Sequence, residues 1–400
     1  MDSQSAVVLG RPYCGPRGVG ALECLAAAQR AGQMPKWSHF MGRTVQATHR
    51  ARTALWRFIG LADLRPGDEL LAPGYSCGSE IDPFVRKGIS VRLYRVDGAG
   101  RIDLGHAAGL LSSRTRAMLV VHYFGWPHPM RDVVSFCTSH GLFLVEDCAL
   151  SLFSESDEGP VGTMGDAAVF SFPKTLSVPD GGALSLRAGP WSPGSSLRSP
   201  GWPMLMRRLL PLWKARVLGV SANVRLHRAA QWITARFFRR RSEDPVETAR
   251  PGMPDDYYFD LRLADVGVSR VTAGILPGAS PDKIRSARQR NYSRLAELIE
   301  GVPGIRPFFS HLPSRACPLV MPLIVRDRRN WLTGLLARGV PAIGWWAGFH
   351  RALPWDDVPE ACELKSRVIA LPIHHEMRAE GIGYIGQVVR EIGASMRRTA

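Results

Sequence analysis

No Cys-x-x-Cys pair occurs in this sequence, and no two cysteines stand at metal-ligand spacing. The seven cysteines (Cys14, Cys24, Cys77, Cys137, Cys148, Cys317 and Cys362) are scattered and odd in number. That pattern excludes a disulfide framework and argues against zinc, so no metal is expected. No run of about 18 apolar residues is present, which argues against a membrane span. The opening MDSQSAVVLG lacks the basic-then-apolar order of a secretory leader. A reducing, cytoplasmic setting is the expectation. Low-complexity tracts and internal repeats are also missing. Acidic residues are scarce, with 35 Asp and Glu against 51 Lys and Arg, for a formal charge of +16. Such a balance suits nucleic acid, acidic lipid or a phosphorylated small substrate. No helix-turn-helix, zinc-finger or aromatic RNA-binding signature accompanies it, so nucleic acid is not expected as a partner.

What is present is the composition of a folded protein, 45% hydrophobic and 22% charged over 400 residues. That length allows a large core and more than one domain. Residues 50–190 alternate helical patterns with short apolar strands. TALWRFIGLADL has apolar residues three and four apart and ends at the turn Pro66-Gly67-Asp68. ELLAP, VRLYRV, AMLVVHYF, LFLVED, AAVFSF and ALSL read as buried strands, with PMRDVVSFCTSHG as an intervening helix. The fold class is therefore α/β, a mostly parallel sheet between helices, followed by a smaller C-terminal α+β unit. The expected divisions are a tail over 1–40, a large domain over 41–260 and a small domain over 261–400. A basic, proline-rich excursion interrupts the large domain at about 195–250. Between Arg207 and Arg241 it carries ten basic residues and no acidic one. This stretch reads either as a helical excursion packed on its own domain or as a peripheral membrane contact through residues 200–245. Later, SPDKIRSARQRNYSRLAELIEG predicts a helix capped by Ser280, with Pro281 at its first position and closing at Gly301.

In open sheets of this class ligands sit beyond the carboxyl ends of strands. LFLVED delivers Glu146 and Asp147 there, and VFSFPK delivers Ser171 and Lys174. A carboxylate and a lysine at successive strand ends suit pyridoxal phosphate (PLP). The lysine forms a Schiff base with it. The carboxylate keeps the pyridine nitrogen protonated. A hydroxyl and helix N-terminal N–H groups take the phosphate, and Arg52 and Thr53 open such a helix.

The order and spacing of RTALWRFIGLADLRPGDELLAPGYSC, TRAMLVVHYFG, GLFLVEDCA, VGTMGDAAVFSFPKTL, DGGALSL and ALPIHHEM resemble the DegT/StrS aminotransferases. The resemblance runs from about Arg50 to Ile392. It implies the fold-type-I architecture, with a seven-stranded-type sheet, a homodimer, and PLP as cofactor. By position Lys174 is similar to the cofactor lysine and Asp147 to the partner of the pyridine nitrogen. Ser171, Thr53 and Arg52 match the phosphate ligands. Lysine at position 174, where the family's sugar dehydratases carry histidine, favours transamination. The implied reaction moves an amino group from glutamate to a keto acceptor, a nucleotide-linked keto sugar or related polyhydroxy ketone of polysaccharide or secondary-metabolite biosynthesis.

Several positions depart from the family. Leu150 stands where a glutamine usually lies near the cofactor's phenolic oxygen. Cys77 replaces the aromatic residue over the ring, leaving His122 or Tyr75 to cover that face. Asp260 replaces the asparagine that a partner subunit inserts into the phosphate site, so it is expected to point elsewhere, while Arg262 is retained. The segment before Lys174 is two residues shorter than usual. These changes keep two other readings open: a PLP enzyme of another reaction type, such as elimination or condensation, and a cofactor-free basic regulatory or nucleic-acid-binding protein. His374-His375 and Cys148 read as structural. Trp345, Trp346 and His350 suit a pocket border and core packing equally.

Overall fold

The computed structural model describes residues 21–29, 34–189, 191, 194, 197–217, 252, 253, 255–346 and 348–397. Seven strands form the large sheet: β1 (Thr44–Thr48), β2 (Glu69–Pro73), β3 (Ser90–Tyr94), β4 (Thr115–Val121), β5 (Phe143–Asp147), β6 (Ala167–Ser171) and β7 (Gly182–Leu186). Their order is β1-β7-β6-β5-β4-β2-β3. The five strands from β3 to β6 in that order run parallel; β7 pairs antiparallel with β6, and β1 antiparallel with β7. The apolar runs become strands because both faces of the sheet are covered, and every residue of β2 and β7 is buried. The edge strand β1 has only one fully buried residue, which is why its sequence, TVQAT, carries no strong strand signal.

The predicted strand AMLVVHYF stops at Val121, because Phe124 takes a left-handed backbone (φ 57°) inside the turn Tyr123–Gly125. The helix predicted around TALWRFIGL spans Ala51–Leu61. Pro281–Ile299 is helical as expected, with Ser280 in the capping position, but the Ser280 hydroxyl makes no capping hydrogen bond. Of the basic excursion, Trp202–Val217 is a helix; residues 218–250 lie outside the described part. No described helix is long and apolar enough to cross a membrane.

A second sheet of β8 (Ile305–Pro307), β9 (Val320–Val325), β10 (Ile343–Gly344) and β11 (Val368–Pro372) has the order β8-β9-β11-β10 and is antiparallel throughout. One hydrophobic cluster runs from the large sheet into this smaller one. Its joint is the turn after β4, where the Leu319 N–H donates to the Phe124 carbonyl at 2.8 Å. Gly125 makes that approach possible. Its φ is +101°, and a Cβ there would collide with the Cys317 carbonyl and Pro318. Gly125→Ala is therefore expected to destabilise the fold by about 3 kcal/mol, from backbone strain plus overpacking. A thermal melt within 1 °C of wild type (about the scatter of such measurements by) would contradict this account of the joint.

Candidate active site

The carboxyl ends of β2, β4, β5 and β6 share one edge of the large sheet, and the last three deliver His122, Asp147 and Ser171 there. Because side chains alternate along a strand, the neighbours Glu146 and Asp147 point to opposite faces. Glu146 is completely buried and accepts four hydrogen bonds: His122 Nε2 and the Gly162 and Met164 N–H groups at 2.9 Å each, and the Gly165 N–H at 2.6 Å. Burial works to raise its pKa, but the His122 bond and these N–H donors outweigh it and hold the carboxyl below its ordinary 4.5. His122 Nδ1 in turn accepts the His128 N–H at 2.8 Å, so the proton given to Glu146 sits on Nε2.

Asp147 is treated differently. It is 7% exposed, and its Oδ1 accepts one hydrogen bond, from the Ala149 N–H at 2.8 Å. Among the described residues no side chain donates to it. Burial pushes its pKa above the ordinary value, against the attraction of Lys174, which faces it from the short helix Phe172–Thr175. The half-buried Lys174 and the buried Asp147 thus lie just beyond and at the ends of neighbouring parallel strands, close enough to feel each other's charge.

Ser171 is the last residue of β6, half-buried, and its hydroxyl makes no capping hydrogen bond. It pairs with Gly182 of β7, and Gly182 packs directly on the backbone of Arg50 and Ala51, where a Cβ would collide. The start of the helix Ala51–Leu61 therefore lies beside Ser171, with its first N–H groups unused by the helix itself. The side chains of Arg52 and Thr53 are engaged elsewhere. Arg52 donates to the carbonyls of Asp256, Tyr257 and Tyr258, and Thr53 Oγ1 donates to the Leu263 carbonyl at 3.1 Å. Both residues hold the 256–263 segment over the helix start. What this leaves for an anion is the backbone of the helix start and the Ser171 hydroxyl.

The candidates for covering a bound ring fare differently too. Tyr75 is fully buried, donates to the Trp345 carbonyl at 3.0 Å and stacks on Phe308. It belongs to the core between the two sheets. The His122 imidazole is fixed at both nitrogens beside Asp147. Cys77 is half-buried among Lys174, Arg52 and Glu80. Two groups escaped the sequence reading. Glu80, 6% exposed, accepts the Cys77 N–H at 2.8 Å on Oε1; burial and the charge of Asp147 raise its pKa, against the pull of Lys174. Lys365 is fully buried and donates to the Ser76 carbonyl at 2.7 Å, with the Phe349 and Trp355 rings each 4.8 Å from Nζ. Burial lowers its pKa to about 8. Neither residue stands at a motif position, so only the folded loop Gly74–Ile81 reveals them.

The remaining polar residues are structural. Asp260 caps the turn Leu261–Leu263 and pairs with Arg262 at 2.8 Å. His350 Nε2 bonds Asp82 at 2.9 Å, and Trp345 packs on Phe124, which makes these core residues. Leu150 and His374 are buried. His122, Glu146 and Cys148 lie within 4.8 Å of one another. That set does not suit a cation, since N–H donors fill the carboxylate and burial drives the thiol pKa well up.

Residues 40–192 match the family model described as the DegT/DnrJ/EryC1/StrS aminotransferase family. That stretch holds all seven strands of the large sheet. A GDP-perosamine synthase from Vibrio cholerae is 27% identical over 141 residues, 34% of this chain and 36% of that protein. A dTDP-4-dehydro-2,3,6-trideoxy-D-glucose 4-aminotransferase from Saccharopolyspora spinosa is 28% identical over 187 residues, 44% of this chain and 49% of that protein. The matches thus span about a third to a half of these relatives. The aminotransferase TlmJ from Streptoalloteichus hindustanus shares the fold, with TM-score 0.64 and 20% identity over 95% of this chain and 93% of that one. So does PseC from Helicobacter pylori, with TM-score 0.67 and 15% identity over 97% and 99%. The likeness to these structures extends over the whole α/β architecture with its mostly parallel sheet.

The Glu146 clamp makes a separate prediction. Glu146→Gln replaces an acceptor of four N–H bonds with a group that presents two donors, at a cost of about 3 kcal/mol near neutral pH. Because the folded-state pKa of Glu146 is depressed, its contribution is complete above 4.5 and fades as pH falls through the lower folded value. Denaturant melts of both proteins from pH 7 to pH 3 (a span chosen around the glutamate range of) should converge at the acid end. A gap that stays constant would contradict the clamp.

Proposed function

We propose that this chain is a PLP-dependent aminotransferase that aminates a nucleotide-linked keto sugar or related polyhydroxy ketone. The observation that carries the proposal is the facing of Asp147 and Lys174 across neighbouring strand ends, with Asp147 buried and given one backbone N–H but no side-chain donor among the described residues. A buried carboxyl so short of donors fits a pyridinium nitrogen. The cradle of Ser171, Gly182 and the helix start at Ala51 fits a phosphate.

Bound PLP supplies an electron sink and a carrier for the amino group. Asp147 holds a proton at the ring nitrogen. Lys174 Nζ anchors the cofactor and then carries a proton to and from the substrate carbon. The Ser171 hydroxyl and the backbone N–H groups at the helix start bind the phosphate, while Arg52 and Thr53 fix the 256–263 segment against that helix. The charge of +16 suits an anionic nucleotide diphosphate. Glutamate is the proposed amino donor, and the proposed working form is a cytoplasmic homodimer, which would cover the exposed Met41 and Leu261.

A second reading keeps the cofactor but changes the reaction. A dTDP-4-dehydro-2,6-dideoxy-D-glucose 3-dehydratase from Saccharopolyspora spinosa is 24% identical over 253 residues, and Leu150 and Cys77 remove two polar or aromatic neighbours that the family usually keeps. Lys174 favours transamination between the two.

Mixed with PLP, the wild type should develop an absorption band near 410–430 nm, and glutamate should move it to about 330 nm, the ranges general to this cofactor. Lys174→Ala should lose the band or shift it, and lower amino transfer at least about a thousandfold. A band that ignores glutamate would favour the second reading. No band at all would refute the cofactor assignment.

A further inference from the structure

One described helix, Trp202–Val217, has no part in the proposed chemistry. Leu205 and Leu209, four residues apart, are buried and cluster with Cys24 of the helix Ala21–Gln29 and Val271 of the helix Arg270–Ile275. That seam docks the helix on the large domain. The stripe beside it stays uncovered. Trp202, Met206 and Leu210 also stand four apart; Trp202 is 64% exposed, Leu210 is 47% exposed and Met206 is half-buried. Trp202 is the one exposed tryptophan among the described residues. Arg207 and Arg208 are exposed on the remaining sides of the helix. The helix sequence holds no Asp or Glu, and from Arg207 to Arg241 the chain carries ten basic residues and no acidic one.

We infer that the stripe Trp202–Met206–Leu210, with Arg207 beside it, seats the protein on an anionic lipid surface. The helix lies in the plane of the membrane, its Leu205–Leu209 seam still docked on the domain, and the stripe enters the boundary between headgroups and chains. Trp202 suits that depth, because its ring is apolar and its N–H is polar. Arg207 keeps its charge among the phosphates while its stem runs along the apolar boundary. Charge brings the protein to the surface, and burial of the stripe holds it there.

The charge distribution favours lipid over the other occupants of an exposed apolar stripe. A second copy meeting this face across a two-fold axis sets like charges against each other, with no carboxylate of the helix to relieve them. A nucleic acid satisfies the arginines but leaves Met206 and Leu210 in water, so the apolar half of the face gains nothing. A lipid surface takes both halves. The attachment needs no bound cofactor, so its test and the absorption test of the cofactor reading fail separately.

The test is sedimentation of the full chain with phosphatidylcholine vesicles, with and without about a third phosphatidylserine, the kind of anionic surface that attracts basic segments. The wild type should pellet with the anionic vesicles at low salt, stay in solution with the neutral ones, and be released as salt rises. Arg207→Glu should weaken the binding about tenfold. Trp202→Gln combined with Leu210→Gln, which leaves every charge in place, should also weaken it about tenfold. Both variants change exposed side chains only, and each probes its half of the face independently. Brominated lipid in the same vesicles should quench part of the tryptophan emission, and Trp202→Phe should remove that part. No binding at low salt, equal binding by wild type and both variants, or quenching that survives Trp202→Phe would overturn the inference. So would a dimer that the Trp202→Gln, Leu210→Gln variant splits into monomers, which would give the face to a second copy. Retention of a DNA duplex at physiological salt by protein that ignores the vesicles would give it to nucleic acid and equally overturn the inference.

Discussion

Two adjacent buried carboxyls at the end of β5 set the terms for everything around them. A strand must turn consecutive side chains to opposite faces, so Glu146 and Asp147 enter different surroundings although they share a peptide bond. Glu146 gathers four N–H donors and becomes an anchor for the turn over 162–165 and for His122. Asp147 receives one backbone donor and looks across at Lys174. An underprovided buried carboxyl is expensive, and such groups persist where another partner completes them. The satisfied neighbour offsets part of that cost by fixing the strand end rigidly.

The second constraint is the close approach of backbones around the helix start. Gly182 lets β7 lie on Arg50 and Ala51, and its pairing with Ser171 brings the hydroxyl to the same place. Arg52 and Thr53 then tie the 256–263 segment down over it. The proposed anion cradle is thus built from backbone geometry more than from charged side chains, although the chain carries an excess of arginine. That excess acts at long range, as an attraction for anions in general.

Much of this was legible in the sequence. Apolar runs bounded by Gly, Pro and Asp give the strands of a buried parallel sheet, and the strand-end positions of Asp147, Ser171 and Lys174 follow from them. Three things were not legible. The edge strand Thr44–Thr48 has no alternating pattern, because it borrows its pairing from β7. The use of Arg52 and Thr53 depends on carbonyls about 200 residues away in the chain, and no local pattern encodes such a contact. Glu80 and Lys365 become neighbours of the site only when the loop after β2 closes against the helix Pro359–Arg367. Tyr75, assigned by sequence to a possible ring cover, is claimed instead by the aromatic core between the two sheets.

The presence of two lysines near the loop after β2 makes the central claim sharply testable. Lys365 has the lowered pKa, about 8, that cofactor lysines often show, but it is fully buried against Ser76 and two aromatic rings. Lys174 faces Asp147 and is half-buried, open to a ligand. The decisive measurement is borohydride reduction of the PLP-treated protein, followed by peptide mapping for the mass of the attached cofactor. The account predicts the label on Lys174, and its loss when Asp147→Ala removes the partner of the ring nitrogen and weakens binding. A label on Lys365, or one spread evenly over surface lysines, would contradict it.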